Sequence, residues 1–419
     1  MASDYIIKRF FEYDRWAKAL STGVDKGIKH GVLRELATPQ ARIALYEAIR
    51  DGRYVIAPPR TAQIPKDTRG NYRTVYVNGP RDRVLLNIAN DLLFELMPGS
   101  VHESCKSYIS GMGCGKIARD VSRHITAMGT DIAGWKSDLS KYFDSVAIEH
   151  IDRAFDTVEA RHGRSALIDL LRNYYHSEEY YDDKGNLQHR FMSLRQGCAV
   201  SAWLSDTLLY HIDEQLSQLD GYYVRYCDDM LFIGPDHERA MALLERELAA
   251  MGLRLNPDKV EMVRADRWFN FLGLSIAGRK ISLSPRRVKK FQQAVDHKTR
   301  HATSAAQAAK KVCRLLYGPK GRCWAEQVLP VINSQSDIDT LNAYVMDSIR
   351  AAATGHRRIG GLGYNRDGRD GCVVRGKGRH VASNRATTPP TLEHYRSLTC
   401  MRNAMRTSRA VYDTLVRQM

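Results

Sequence analysis

The chain has 419 residues, 43% of them apolar and 26% charged, and carries a net charge of +16. Such a length buries a large core and holds more than one domain, and no run of about 18 apolar residues occurs that would cross a membrane. The positive surplus points to a polyanionic partner, because neutralising phosphates releases their counterions.

The opening residues, MASDYIIKRFFEYDRW, place charge in every turn, unlike a secretory leader, so a cytoplasmic location is expected. Residues 1–56 read as mostly helical, with FFEYDRWAKAL and ARIALYEAIRDG as amphipathic pieces. The next stretch, IAPPRTAQIPKDTRGNYRTVYVNGPRDRVL, is rich in β-branched residues split by KDTRGN, which predicts a hairpin carrying Lys66, Arg69 and Arg73. A helix is predicted from about Arg81 to Met97. GMGCGK, at 111–116, has three residues where a phosphate-binding P-loop needs four, and Ile117 follows its lysine; it is discarded.

From Trp135 the pattern turns to strand, helix, strand, with YVRYCDDMLFIG at 222–233 the clearest β segment. DHERAMALLERELAAMG follows as an amphipathic helix, then short strands in LRLNPDKVEMV and FNFLGLSIAGRKISL. Residues 284 to about 353 read as basic helices. Residues 355–380 are rich in Gly and Arg, a composition suited to an adaptable arm on nucleic acid, and one more basic helix is expected after Thr391. The eight cysteines form no CxxC pair or Cys/His cluster, so free thiols are expected and a structural zinc is not.

Two aspartate pairs make a natural comparison. Asp182-Asp183 is followed by Lys, Gly and Asn, which predicts an exposed turn where carboxylates cost little. Asp228-Asp229 instead sits between Tyr222, Tyr223, Val224 and Tyr226 on one side and Met230, Leu231, Phe232 and Ile233 on the other. Burying both needs compensation, and a divalent cation supplies it. Asp138, in WKSDLSKYFDSV, is the candidate third carboxylate.

DLSKYFDSV, RQGCAVSAWLSD, YCDDM, LRLNPDKVEMV and FNFLGLSI occur in the order and spacing of the palm motifs of reverse transcriptases. Over roughly residues 55–285 the chain resembles the bacterial branch of that family, which includes group II intron and retron enzymes. The resemblance implies an α+β, right-hand polymerase fold. Its parts would be N-terminal helices and fingers over 1–134 and a palm with an antiparallel sheet over 135–283, including a fingers insertion at about 160–195. A helical thumb over 284–354 and a basic Gly/Arg-rich C-terminal extension over 355–419 would follow.

Carried over residue by residue, the resemblance makes Asp138, Asp228 and Asp229 the catalytic metal ligands for two Mg²⁺ ions, with Mn²⁺ as a substitute. Phe143, five residues after Asp138, would exclude a ribose 2′-hydroxyl and select dNTPs. Lys66 and Arg73 would grip the triphosphate, and Gln196 and Gly197 would contact template and incoming base. Lys259 is the candidate general acid for the leaving pyrophosphate, and Phe271, Leu272 and Gly273 match the primer grip. The motif of Gln196 ends in Ser201-Ala202 where the family has Ser-Pro.

The thumb region reads LSPRRVKKFQQ and lacks the VTG triplet of retron enzymes, and the tail is short for a group II intron maturase. The chain therefore most resembles stand-alone reverse transcriptases of antiphage defence that copy a neighbouring noncoding RNA. Expected partners are that RNA template, dNTPs and a cDNA product, with no membrane. Two alternatives stay open: an untemplated or protein-primed DNA polymerase of an abortive-infection system, for which 21 tyrosines offer hydroxyls, and an RNA-binding scaffold with a vestigial site. The intact aspartate set argues against the scaffold.

Overall fold

Asp4 accepts a hydrogen bond from the Ile7 amide and so caps the first helix, Tyr5–Phe10. Three more helices, Tyr13–Thr22, His30–Ala37 and Pro39–Arg50, complete an N-terminal part as helical as its pattern predicts. The computed structural model describes residues 4–24, 27–65, 71–109, 111–129, 131–318, 323–354, 362–364, 373–375, 395 and 397–418. The predicted hairpin pairs Arg60–Pro65 with Tyr72–Val77, from Arg60↔Val77 to Pro65↔Tyr72. Lys66 and Arg69, at its tip, lie outside the described residues.

This hairpin continues into a four-stranded sheet with Glu179–Tyr181 and Leu187–His189. Asp182 turns the second hairpin, accepting the amides of Lys184 at 3.0 Å and Asn186 at 2.8 Å. Helix Pro80–Leu96 follows the first hairpin.

The sheet that matters for the site is antiparallel, in the order Tyr222–Tyr226, Asp229–Ile233, Ala133–Asp138, Glu261–Arg264. Its two middle strands are buried on both faces, whereas the edge strand Glu261–Arg264 is largely exposed. Met230 and Phe232 join one core, built from the N-terminal helices and from helices Pro80–Leu96, Ile148–His162, Ala166–His176 and His237–Ala250. Leu231 and Ile233 join a second core with helix Cys114–Met128. Alternate residues thus serve opposite cores, which is why the strand reads as one continuous apolar run.

A three-stranded antiparallel sheet, Phe269–Phe271, Leu274–Ala277 and Lys280–Leu283, extends the second core. Helices Pro285–Thr299, Ala305–Tyr317, Trp324–Val328 and Gln335–Thr354 follow. Where one terminal helix was expected there are two, Leu398–Thr407 and Arg409–Arg417, broken at Ser408. They bury Leu398, Met401 and Tyr412 in the second core. Of the Gly/Arg-rich stretch, only the antiparallel pair Leu362–Tyr364 and Val373–Arg375 is described. Among the described residues no helix is long and apolar enough to cross a membrane, and the cysteines are free thiols.

Candidate active site

Strand register brings the distant aspartates together. Asp138, the last residue of its strand, lies opposite Asp229. The turn of the facing hairpin holds Cys227 and Asp228, whereas Asp229 already belongs to the returning strand. Cys227 has φ +55, a left-handed conformation unusual for a side-chain-bearing residue. Its amide donates to Ser107 Oγ at 2.5 Å and its carbonyl accepts from Arg225 Nη1 at 3.1 Å, so surrounding groups hold the tip in place.

Those supports form a buried network the motifs do not reveal. Arg225 is 0% exposed, as are Asp206 and Asp213. Its Nε bonds both Asp213 oxygens at 2.8 and 3.0 Å, and its Nη2 adds a third bond to Asp213 at 2.5 Å. Tyr223 donates its hydroxyl to the same carboxylate at 2.8 Å. Segment 104–107 pairs with the backbone of Arg225, Ser104 O accepting its amide and Lys106 N donating to its carbonyl.

Asp182 and the Asp228-Asp229 pair shift in opposite directions. Hydrogen bonds from the Asn186 amide hold Asp182 below the usual carboxylate range. Burial, then the charge of Asp138, raises Asp228. Burial, then Asp228 and Asp138, pushes Asp229 up to about 6. Burial also pushes the Cys227 thiol up to about 11, so it adds no charge at neutral pH.

One consequence is measurable without substrate. Asp229 and Asp206 both rise from 3.8 to about 6, Asp206 chiefly through burial, so each favours the fold when protonated. Their stabilising contribution is complete below 3.8 and is lost as pH climbs through about 6. In chelator-treated protein, melting temperature is expected to rise as pH falls from 7.5 to 5.5, each group contributing about 1 kcal/mol over that window. Asp206→Asn should flatten its share of that slope; an unchanged slope would remove Asp206 from the account.

Lys259 forms an ion pair with Asp138. Its approach is set by the chain before it: Asn256 donates its amide to Asp138 O at 2.8 Å and caps the short helix Pro257–Lys259. The donor set is all carboxylate oxygen. Among the described residues no three acidic, His or Cys side chains already form a metal cage. Two clustered, charge-stressed carboxylates still suit Mg²⁺, which takes one or two carboxylates and fills its remaining positions with water and phosphate.

Beside Asp228 opens a cavity of about 430 Å³, bounded by Arg73, Phe143, Gln196, Gly197 and Tyr108, among others. Phe143 packs partly into the first core, edge-on to Tyr142 at 5.6 Å. Gly197 has φ +108, and a Cβ there would stand 2.8 Å from Tyr76 O. The close approach that glycine permits is therefore to the strand carrying Arg73, and Tyr76 N donates to Gln196 O at 2.7 Å. Asn87 and Asn90, one helical turn apart on Pro80–Leu96, also line the cavity. The helix also carries Arg81, Asp82, Arg83, Asp91 and Glu95, so nothing in the sequence singled the two amides out, and Tyr108, on an irregular loop, gave no signal either.

Phe271, Leu272 and Gly273 stand on the separate three-stranded sheet. Phe271 is buried in the second core, and Leu272 and Gly273 form a two-residue turn with φ +50 and +77. Lys136 links this sheet to the aspartate strand, donating to Asn270 O at 2.7 Å.

Residues 64–276 match the family model described as reverse transcriptase (RNA-dependent DNA polymerase). The match agrees with the α+β, right-hand polymerase fold expected from the motifs. No curated protein matches the chain. Among solved structures, telomerase from Candida albicans in complex with a fragment of telomeric RNA is similar at 14% identity and TM-score 0.44, covering 74% of this chain and 56% of that one. Apo telomerase from Candida tropicalis is similar at 11% identity and TM-score 0.44, covering 71% and 58%. This chain thus spans less than two thirds of the length of either.

Proposed function

The chain belongs to the reverse transcriptase family, and we propose that it polymerises dNTPs on an RNA template, Asp138, Asp228 and Asp229 forming its catalytic centre. The observation that carries this reading is the register that sets Asp138 against Asp229 beside a cavity holding Phe143, Arg73, Gln196 and Gly197. Divalent cations held by the three carboxylates would polarise the primer 3′-hydroxyl and neutralise the leaving pyrophosphate.

The remaining work falls to the chain. Arg73, on the hairpin strand, faces the charge of Asp228 and offers a forked donor to triphosphate oxygens. Lys66 would act with it. Phe143 fills the space beside the sugar. Lys259 pairs with Asp138 and would donate a proton to the departing pyrophosphate. Phe271, Leu272 and Gly273 would orient the primer from the neighbouring sheet.

The finer reading is synthesis of cDNA from a dedicated noncoding RNA in bacterial antiphage defence. Its support is the +16 charge and the motif departures already described. The test is to sequence RNA and DNA bound to protein purified from cells carrying the gene with its native flanking DNA. DNA complementary to one bound RNA supports the reading; DNA without a complement in the RNA pool turns it to untemplated synthesis.

Phe143→Ala is expected to lower discrimination between dNTP and NTP by about tenfold to a hundredfold, read as the ratio of kcat/KM values. An unchanged ratio would remove Phe143 as the sugar gate.

A further inference from the structure

Arg195, immediately before Gln196 and Gly197, is a buried cation without an acid. It is 0% exposed, and among the described residues no carboxylate pairs with it. Its Nη2 donates to Ser177 O and, at 3.4 Å, to Tyr175 O. These carbonyls belong to the C-terminal end of helix Ala166–His176, where the helix dipole is negative. The guanidinium also lies 4.0 Å over the Tyr174 ring. Among the described residues Nε and Nη1 find no hydrogen-bond acceptor.

This arrangement is costly. Desolvating a cation without a counter-ion lowers stability, and an apolar side chain of similar volume would fill the space without that penalty. The backbone is strained as well: Ser193 and Arg195 have φ +50 and +51. The loop is tied to the cavity wall on every side. Cys198 N donates to Arg195 O at 2.9 Å, and pocket-lining Ser201 donates to Leu194 O. Tyr174 exchanges hydrogen bonds with Asn78, just after the strand carrying Arg73, and Tyr175 bonds Ser201 at 3.0 Å.

We propose that Arg195 is a positioning residue. Its buried fork, anchored on the helix end and the Tyr174 ring, fixes the Gln196–Gly197 wall and thereby sets affinity for the incoming nucleotide at the expense of stability. The inference rests on the reading of the cavity as the nucleotide site.

Arg195→Met and Arg195→Lys test it. The methionine variant is expected to melt at or above the wild-type temperature, to raise KM for dNTP about tenfold or more, and to change kcat much less. Lysine, a point charge without the fork, should fall between. Hydrogen exchange at the Tyr76 amide, bonded to Gln196 O, should accelerate in Arg195→Met. Wild-type KM in that variant, or kcat and melting temperature falling together with KM unmoved, overturns the proposal. If the wild type itself incorporates no dNTP, the nucleotide-site reading falls. Tyr76 exchange then still decides the positioning role, wild-type protection in Arg195→Met counting against it.

Discussion

Asp228→Asn loses nucleotide incorporation by about 10²–10³-fold or more, while the metal-free protein melts at the wild-type temperature or above it. The two halves have one cause. Asp228 is raised by burial and by the Asp138 carboxylate, so its ionised form is held in the fold at a cost. A carboxyl raised in the folded state stabilises when protonated and loses that contribution as pH rises through its folded value. Asparagine keeps the shape and mimics the protonated form, which relieves the repulsion at neutral pH. It also removes a charged oxygen from the set proposed to hold the cation. Primer extension and a thermal melt in chelator and in Mg²⁺ measure both halves. A well-folded Asp228→Asn protein that extends primers at the wild-type rate would end the metal-ligand assignment.

The second large effect lies behind the hairpin. Asp213→Ala is expected to cost about 3–5 kcal/mol, because it leaves Arg225 buried and charged. Three of the Arg225 hydrogen bonds disappear, and Tyr223 loses its acceptor. Asp206 substitutes only in part, since its nearest oxygen stands 3.6 Å from Arg225 Nη1, close enough for an ion pair but too far for a hydrogen bond. A loss of that size is a large share of the stability of an ordinary domain. The double variant Asp213→Leu, Arg225→Met should recover much of it, as apolar replacements of buried ion pairs do. It should not recover incorporation, because the Cys227 carbonyl loses its Arg225 donor and the turn carrying Asp228 loosens. Urea titration of the three proteins decides: a single-variant cost below about 1 kcal/mol would show that the pair is not what braces the turn.

The difference between the two aspartate pairs was visible in residue order alone. Lys, Gly and Asn after Asp182-Asp183 announced a solvated turn, and the apolar flanks of Asp228-Asp229 announced burial; the lowered Asp182 and the raised Asp228 and Asp229 follow. Helices with clear apolar spacing, such as Pro80–Leu96 and His237–Ala250, were equally legible. Arg225 was not. Within a strand its side chain reads as a polar break, and its partners lie 12 and 19 residues away on separate turns of chain. Segment 104–107, which covers that strand edge, has no β pattern because only a single bridge, Cys105↔Arg225, defines it. Arg195 was hidden for a related reason: helix-end carbonyls and a ring compensate it, and neither leaves a charge pattern in sequence. Local chemistry was readable wherever compensation was local.

The sheet shared by two cores has a mechanical consequence. Neither half of the molecule is detachable. A cut between Leu283 and Pro285 that released the helices beyond it would free the apolar edge strand Lys280–Leu283, where Ile281 exchanges hydrogen bonds with Asn333, and would part that sheet from the helices sharing the second core. Such an apolar β surface invites self-association. Proteolysis of that linkage would therefore remove the protein from solution as an aggregate, and the strands bearing Asp138 and Asp229 would go with it.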